Sequence, residues 1–161
     1  MTDNRATLGT QLRHLLELLD GAVEQAYEDA GLDYRPRYTP VMRAVIELGA
    51  PSIRTIAQRA GITHSAVSQT VAQMAECGLV KLAPGSDARE RIVMLSAAGK
   101  ALVPELERRW AATNEAARAL DAELSQPLSA VVQEAIAALE RRPFAERIRH
   151  AAAASRPSRK R

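Results

Sequence analysis

Apolar residues return every three to four positions near the start of the chain: Leu8, Leu12, Leu15, Leu16, Leu19, Val23 and Ala26. This spacing predicts a helix over about residues 5–30, stopped by Gly31. Residues 33–38, Asp-Tyr-Arg-Pro-Arg-Tyr, are predicted to be extended, because a residue before proline avoids helical angles. Thr39 is the expected N-cap of a second helix, with Pro40 in its first turn and Gly49 at its end. A third helix follows Pro51, capped by Ser52 and closing near Gly61. A fourth runs from Thr63 to about Cys77, before Gly78. The pattern then changes. Two short apolar runs, Leu79–Leu82 and Arg91–Leu95, flank a Pro84-Gly85-Ser86-Asp87 turn cluster and predict a β-hairpin. Ser96 is placed as the cap of a long helix to about Asp121, which Pro104 should kink unless it falls in the first turns. Ser125 and Pro127 are expected to open a further helix with Leu128, Val131, Val132, Ala135, Ile136 and Leu139 on its apolar face. Pro143 breaks or bends it, and residues 155–161 are expected to be a disordered charged tail.

The length of 161 residues suits one compact unit, or one unit with an extension. Apolar residues make up 47% and aromatics only 3%, so alanine and leucine carry the core and favour helices over a β-sandwich. Cys77 is the single cysteine, which excludes an intrachain disulfide framework or a Cys-rich zinc site. There is no secretory signal pattern and no apolar run of membrane-spanning length, so the expected compartment is the cytoplasm, with no membrane partner. The net charge of +3 is unevenly spread. Residues 1–36 sum to −4, residues 37–100 to +4, residues 101–154 to −1 and the tail to +4. A basic middle suits a polyanion, because phosphate contacts supply most non-specific affinity for nucleic acid. The leucine and alanine stripes at both ends are too apolar for exposure, and predict burial against each other or a second chain.

Residues 52–80 have the pattern of a helix-turn-helix. Ala57 is small where two helices cross, Gly61 permits a left-handed turn, and Val67, Val71 and Met74 pack the second helix onto the first. An ordinary helical hairpin could share that pattern, but a two-stranded wing immediately after it favours DNA binding. The wing reads Asp87-Ala-Arg89, then Arg91-Ile-Val-Met-Leu95, Ser96 and Gly99. Together with Ser68 and the Gly78-Leu79-Val80 stop, this resembles the MarR family of winged helix-turn-helix regulators, over about residues 8–140.

The resemblance implies a mainly α fold: a winged helix-turn-helix with long N- and C-terminal dimerisation helices. It implies a triangular homodimer that binds pseudo-palindromic double-stranded DNA, usually as a repressor, and releases it on meeting a small ligand or an oxidant. The corresponding segments are 1–36 (N-terminal dimerisation helix and linker), 37–99 (DNA-binding lobe), 100–154 (C-terminal dimerisation helices) and 155–161 (basic tail). Arg89 is then expected in the minor groove, steadied by Asp87, with Arg91 on a phosphate. The second helix departs from many family members: residues 63–77 hold no Lys or Arg, and Gln69 stands where an arginine is common. Readout falls to Ser65, Ser68, Gln69 and Thr70, with His64 donating to a phosphate or base, and Gln69 suits adenine. Arg54, Arg59 and the Thr39 helix start are expected to contact phosphate. An effector pocket in the family's position would draw on His14, Tyr34, Arg35, Tyr38 and Trp110, with Arg35 or Arg37 suiting an anionic aromatic ligand. Cys77 is read as packing or as an oxidation switch. No cofactor and no metal site are expected, because His14, His64, His150 and Cys77 are scattered along the chain. No phosphate loop or nucleophile elbow suggests an enzyme. A helical protein–protein adaptor and a metal-sensing regulator of similar fold are the alternative readings.

Overall fold

A computed structural model describes residues 7–87 and 90–154. The chain forms α1 (Leu8–Asp29), a 3-10 turn at Pro36–Tyr38, α2 (Thr39–Leu48), α3 (Ile53–Ala60) and α4 (His64–Glu76). The hairpin strands β1 (Val80–Pro84) and β2 (Arg91–Leu95) follow, then α5 (Ala97–Glu123), α6 (Leu128–Arg141) and α7 (Phe144–Ala154). The fold is mainly helical with a two-stranded wing. Two compact units divide within α5, one up to Ala111 and the other from Ala112.

The core of the first unit is built from regularly spaced apolar positions. Val41, Met42, Ala44 and Val45 of α2 are buried with Ile56 of α3 and with Val67, Val71 and Met74 of α4. Val80 and Val93 enter from the wing, and Leu106 and Trp110 from α5. Tyr27, Tyr34 and Tyr38 complete it. Their rings meet edge to face, with centroids 5.0 Å apart for Tyr27 and Tyr34 and 5.6 Å for Tyr34 and Tyr38. The Trp110 indole N–H donates to the Tyr27 hydroxyl at 3.2 Å, so the buried polar ends of this cluster are satisfied. No buried side-chain nitrogen or oxygen lacks a partner among the described residues.

Three local expectations need correction. The segment 33–38 is extended only through Arg35 (φ −113°, ψ 142°), because Pro36 opens a 3-10 turn that its fixed φ suits. That turn runs directly into α2, so Thr39 is the first helical residue and not a cap; its amide donates to the Pro36 carbonyl and its hydroxyl accepts from Tyr34 at 3.4 Å. Pro104 does lie inside the long helix, beyond its first turns, as the sequence placed it. The next helix opens at Leu128 and not at Ser125, because the Asp121 carboxylate accepts both the amide and the hydroxyl of Ser129 (3.3 and 2.5 Å) and closes the corner there.

In the second unit Pro143 breaks the helix, and α7 follows as a separate element that the periodicity did not separate. Arg147 holds this corner by donating to the carbonyls of Ala138 and Arg142 at 3.0 and 3.2 Å. No residue of α6 or α7 is buried.

Candidate nucleic-acid interface

The helix-turn-helix is shaped by caps. Ser52 sits at the N-cap of α3 and accepts the Thr55 amide at 3.2 Å. Gly61 ends α3 in the left-handed region (φ 67°), a conformation that a Cβ would strain. Thr63 then caps α4, accepting the Ala66 amide at 3.2 Å. Three residues therefore turn the chain from one helix into the next. The buried Val67, Val71 and Met74 lie on one side of α4, which turns Ser65 and Gln69 outward; both are exposed. Ser68 and Thr70 are half-buried on the flanks, and His64 is exposed in the first turn.

The wing is tied to this unit through its second strand. Strands β1 and β2 pair antiparallel from Val80↔Leu95 to Pro84↔Arg91. The Val93 amide donates to the Pro51 carbonyl at 2.9 Å, and Ser52 bridges to Ile92. The wing thus hangs from the residues that cap α3. Between it and α4 lies a groove of about 900 Å³. Arg54, Gln58, His64, Ser68, Asp87 and Arg91 line it, with Ala72, Leu82 and Glu90. Five positions picked from the sequence meet there, although they come from α3, α4 and the wing. Gln58 was missed; it stands one turn beyond Arg54 on α3, and that spacing could have found it. Arg89 lies outside the described residues, as does the 155–161 tail.

Other expected positions sit elsewhere. The Thr39 amide is engaged in the 3-10 turn and is not free for a phosphate. Arg59 forms an ion pair with Glu47 at 2.7 Å on the far side of α3. Tyr34 and Tyr38 are packed within the aromatic core; burial pushes the Tyr34 phenol far above its ordinary value and raises that of Tyr38. His14 is exposed on α1, 3.9 Å from Glu17, and Arg35 is exposed too. Trp110 alone of that set borders a cavity of about 470 Å³ among α2, α3 and α5. Arg43 also lines it, its guanidinium 4.7 Å above the Trp110 ring, together with Pro40, Glu47, Arg59 and Glu107. Cys77 is exposed at the end of α4, with the Tyr38 hydroxyl 4.0 Å from its sulfur. Among the described residues no group of three His, Cys, Asp or Glu could hold a metal ion, and no helix is long and apolar enough to cross a membrane.

No curated protein sequence matches the chain. Solved structures do. The Mycobacterium tuberculosis regulator MosR, solved in complex with DNA, aligns with a TM-score of 0.63 at 23% identity, over 83% of this chain and 93% of its own. PcaV of Streptomyces coelicolor, solved with its natural ligand, gives 0.63 at 20% identity over 88% and 97%. BpsR of Bordetella bronchiseptica, whose DNA binding is regulated by 6-hydroxynicotinic acid, gives 0.58 at 19% over 72% and 81%. These likenesses carry the fold. The MarR family profile matches residues 31–90, which span the helix-turn-helix and the wing as far as Glu90. Over residues 31–90 the chain is similar to the MarR family, and the solved transcriptional regulators share its fold.

Proposed function

We propose that the protein is a ligand-responsive repressor that binds pseudo-palindromic duplex DNA as a homodimer in the cytoplasm. The observation that carries this reading is the groove between α4 and the wing, where Arg54, His64, Ser68, Asp87 and Arg91 converge beside the outward Gln69. In this reading α4 enters the major groove. Gln69 and Ser65 reach base edges, with Ser68 and Thr70 beside them and His64 at a base or phosphate. Arg54 and Arg91 contact phosphates, and Arg89 reaches the minor groove with Asp87 behind it. Residues 37–99 form the DNA-binding lobe, and 1–36 and 100–154 the dimerisation segments.

The dimer is supported by apolar side chains left open. Leu8 and Leu16 of α1 are 65% and 57% exposed, and Ile136 of α6 and Phe144 of α7 are 52% and 60% exposed. Such rows are rare on soluble monomers and mark interaction surfaces. The effector is supported by the cavity beside Arg43 and Trp110, where a cation and an indole face suit an anionic aromatic ligand. BpsR responds to such a compound.

A binding selection from random duplex DNA tests the proposal. The expected product is an inverted repeat with half-sites about one helical turn apart. Benzoate, added as a probe, is expected to release that duplex and to quench Trp110 emission. Recovery of no enriched sequence, with residual binding abolished by modest salt, would overturn the reading in favour of an adaptor.

A further inference from the structure

We infer that Ser96 is a positioning residue for DNA binding: its hydroxyl joins the end of the recognition helix α4 to the first turn of α5. This rests on the proposed DNA reading and assigns a regulatory joint to it.

The geometry is closed on both sides. Helix α4 ends at Glu76 with Cys77 as its C-cap, and Gly78, whose φ is 71°, turns the chain back so that the Leu79 amide reaches the Met74 carbonyl at 2.8 Å. Ser96 is buried directly beneath this turn. Its hydroxyl donates to the Gly78 carbonyl at 2.5 Å and accepts the Gly99 amide at 2.9 Å. Its own amide donates to the Leu79 carbonyl at 3.0 Å. A single oxygen therefore satisfies the carbonyl of the turn that closes α4 and an orphan amide in the first turn of α5. Only a hydroxyl offers a donor and an acceptor at one atom here. Gly99 completes the joint, since a Cβ at that position would collide with the Leu79 carbonyl oxygen. From Ser96 the helix α5 runs without interruption to Leu106 in the core and to Glu107 and Trp110 at the cavity beside Arg43. Pro104 lies in this stretch and removes one backbone bond, but Leu106 and Trp110 beyond it are held in the core. Movement of α5 at the cavity is thus delivered to the C-terminal end of α4, and DNA docking on α4 is delivered back to Trp110. Such coupling is reciprocal.

The test compares the full-length chain with its Ser96→Ala, Ser96→Thr and Gly99→Ala variants. The quantities read are affinity for the selected duplex, affinity for a scrambled duplex, and Trp110 emission on adding the selected duplex. Ser96→Ala and Gly99→Ala are expected to lower the specific-to-scrambled affinity ratio about tenfold, the order of one lost hydrogen bond, and to abolish the emission change. Ser96→Thr restores both. A folded Ser96→Ala variant with an unchanged ratio and an unchanged emission response would overturn the joint, however much its melting temperature fell. Amide hydrogen exchange reads the joint without DNA. Ser96→Ala should accelerate exchange in the last turn of α4 together with the first turn of α5, and acceleration confined to α5 overturns the inference. Should Ser96→Ala not fold, exchange in the unmodified protein decides: slower exchange at the Gly99 amide on adding duplex supports the joint, and unchanged exchange overturns it. If the unmodified protein selects no duplex, the DNA reading fails while the exchange comparison still judges the joint.

Discussion

Gln69 stands outward on α4, across the helix from Val67 and Val71, in a segment without a single lysine or arginine. In the proposed DNA reading, base discrimination there depends on neutral amides and hydroxyls, and an amide pairs bidentately with adenine. Gln69→Ala is therefore expected to reduce discrimination at one A·T pair in each half-site by about 1–3 kcal/mol while the fold stays intact. Competition against duplexes substituted one position at a time reads this directly, and an unchanged preference at every position rejects the role. A different residue governs behaviour in alkali. Burial raises the Tyr34 phenol above its ordinary value of 10.0, against the weaker opposing effect of its bond to Thr39. The folded state therefore holds that proton more tightly than the unfolded chain. The resulting stability is complete below the ordinary value and is lost as pH rises beyond it. Urea titrations on either side of 10.0 should show stability falling on the alkaline side, and Tyr34→Phe should flatten that part of the profile. An unflattened profile would place the effect elsewhere.

Among the elements, α4 serves two demands with one short sequence. Its inner face, Val67, Val71 and Met74, is fully buried against α2 and α3, and its outer face, with Ser65 and Gln69, is exposed. Met74→Ala should cost about 2–5 kcal/mol, as expected for a large core side chain cut back to a methyl group. Denaturant unfolding measures that loss, and a change within error of zero would mean that the position repacks freely. The wing has a different logic. Its strands are only five residues each, and an isolated hairpin of that size is marginal in water. The Val93–Pro51 bond and the Ser52–Ile92 bridge anchor it to the helix-turn-helix, so the wing inherits its orientation from the cap of α3.

At the scale of the assembly, apolar rows on α1, α6 and α7 are exposed. In the proposed dimer they are covered by a second copy. Leu12→Glu combined with Ile136→Glu, which puts charge on two of these rows, should yield a monomer by sedimentation velocity and weaken binding to the inverted repeat. The unmodified protein is expected to sediment as a dimer. A stable monomer at micromolar concentration would reject the assembly and, with it, the twofold symmetry of the DNA site.

The order of elements was legible from the residues alone, because helical and alternating periods differ and because Ser52, Gly61, Thr63 and Gly78 mark ends by local backbone chemistry. The residues also disclosed the helix-turn-helix and the wing, since a small residue, a turn glycine and apolar anchors at fixed offsets are local constraints. Local reasoning misplaced the start of α2, where a 3-10 turn takes up the Thr39 amide, and overlooked α7, whose separation depends on the corner held by Arg147. Which distant side chains meet was settled by the packing of the fold. It brought Arg54, His64 and Arg91 to one groove with Gln58, sent Arg59 to Glu47, packed Tyr34 and Tyr38 into the aromatic core and opened a cavity beside Arg43. It also decided that one hydroxyl, Ser96, would join α4 to α5. Those meetings depend on how helices cross and on which rings fill the space between them, and sequence spacing along one helix carries neither.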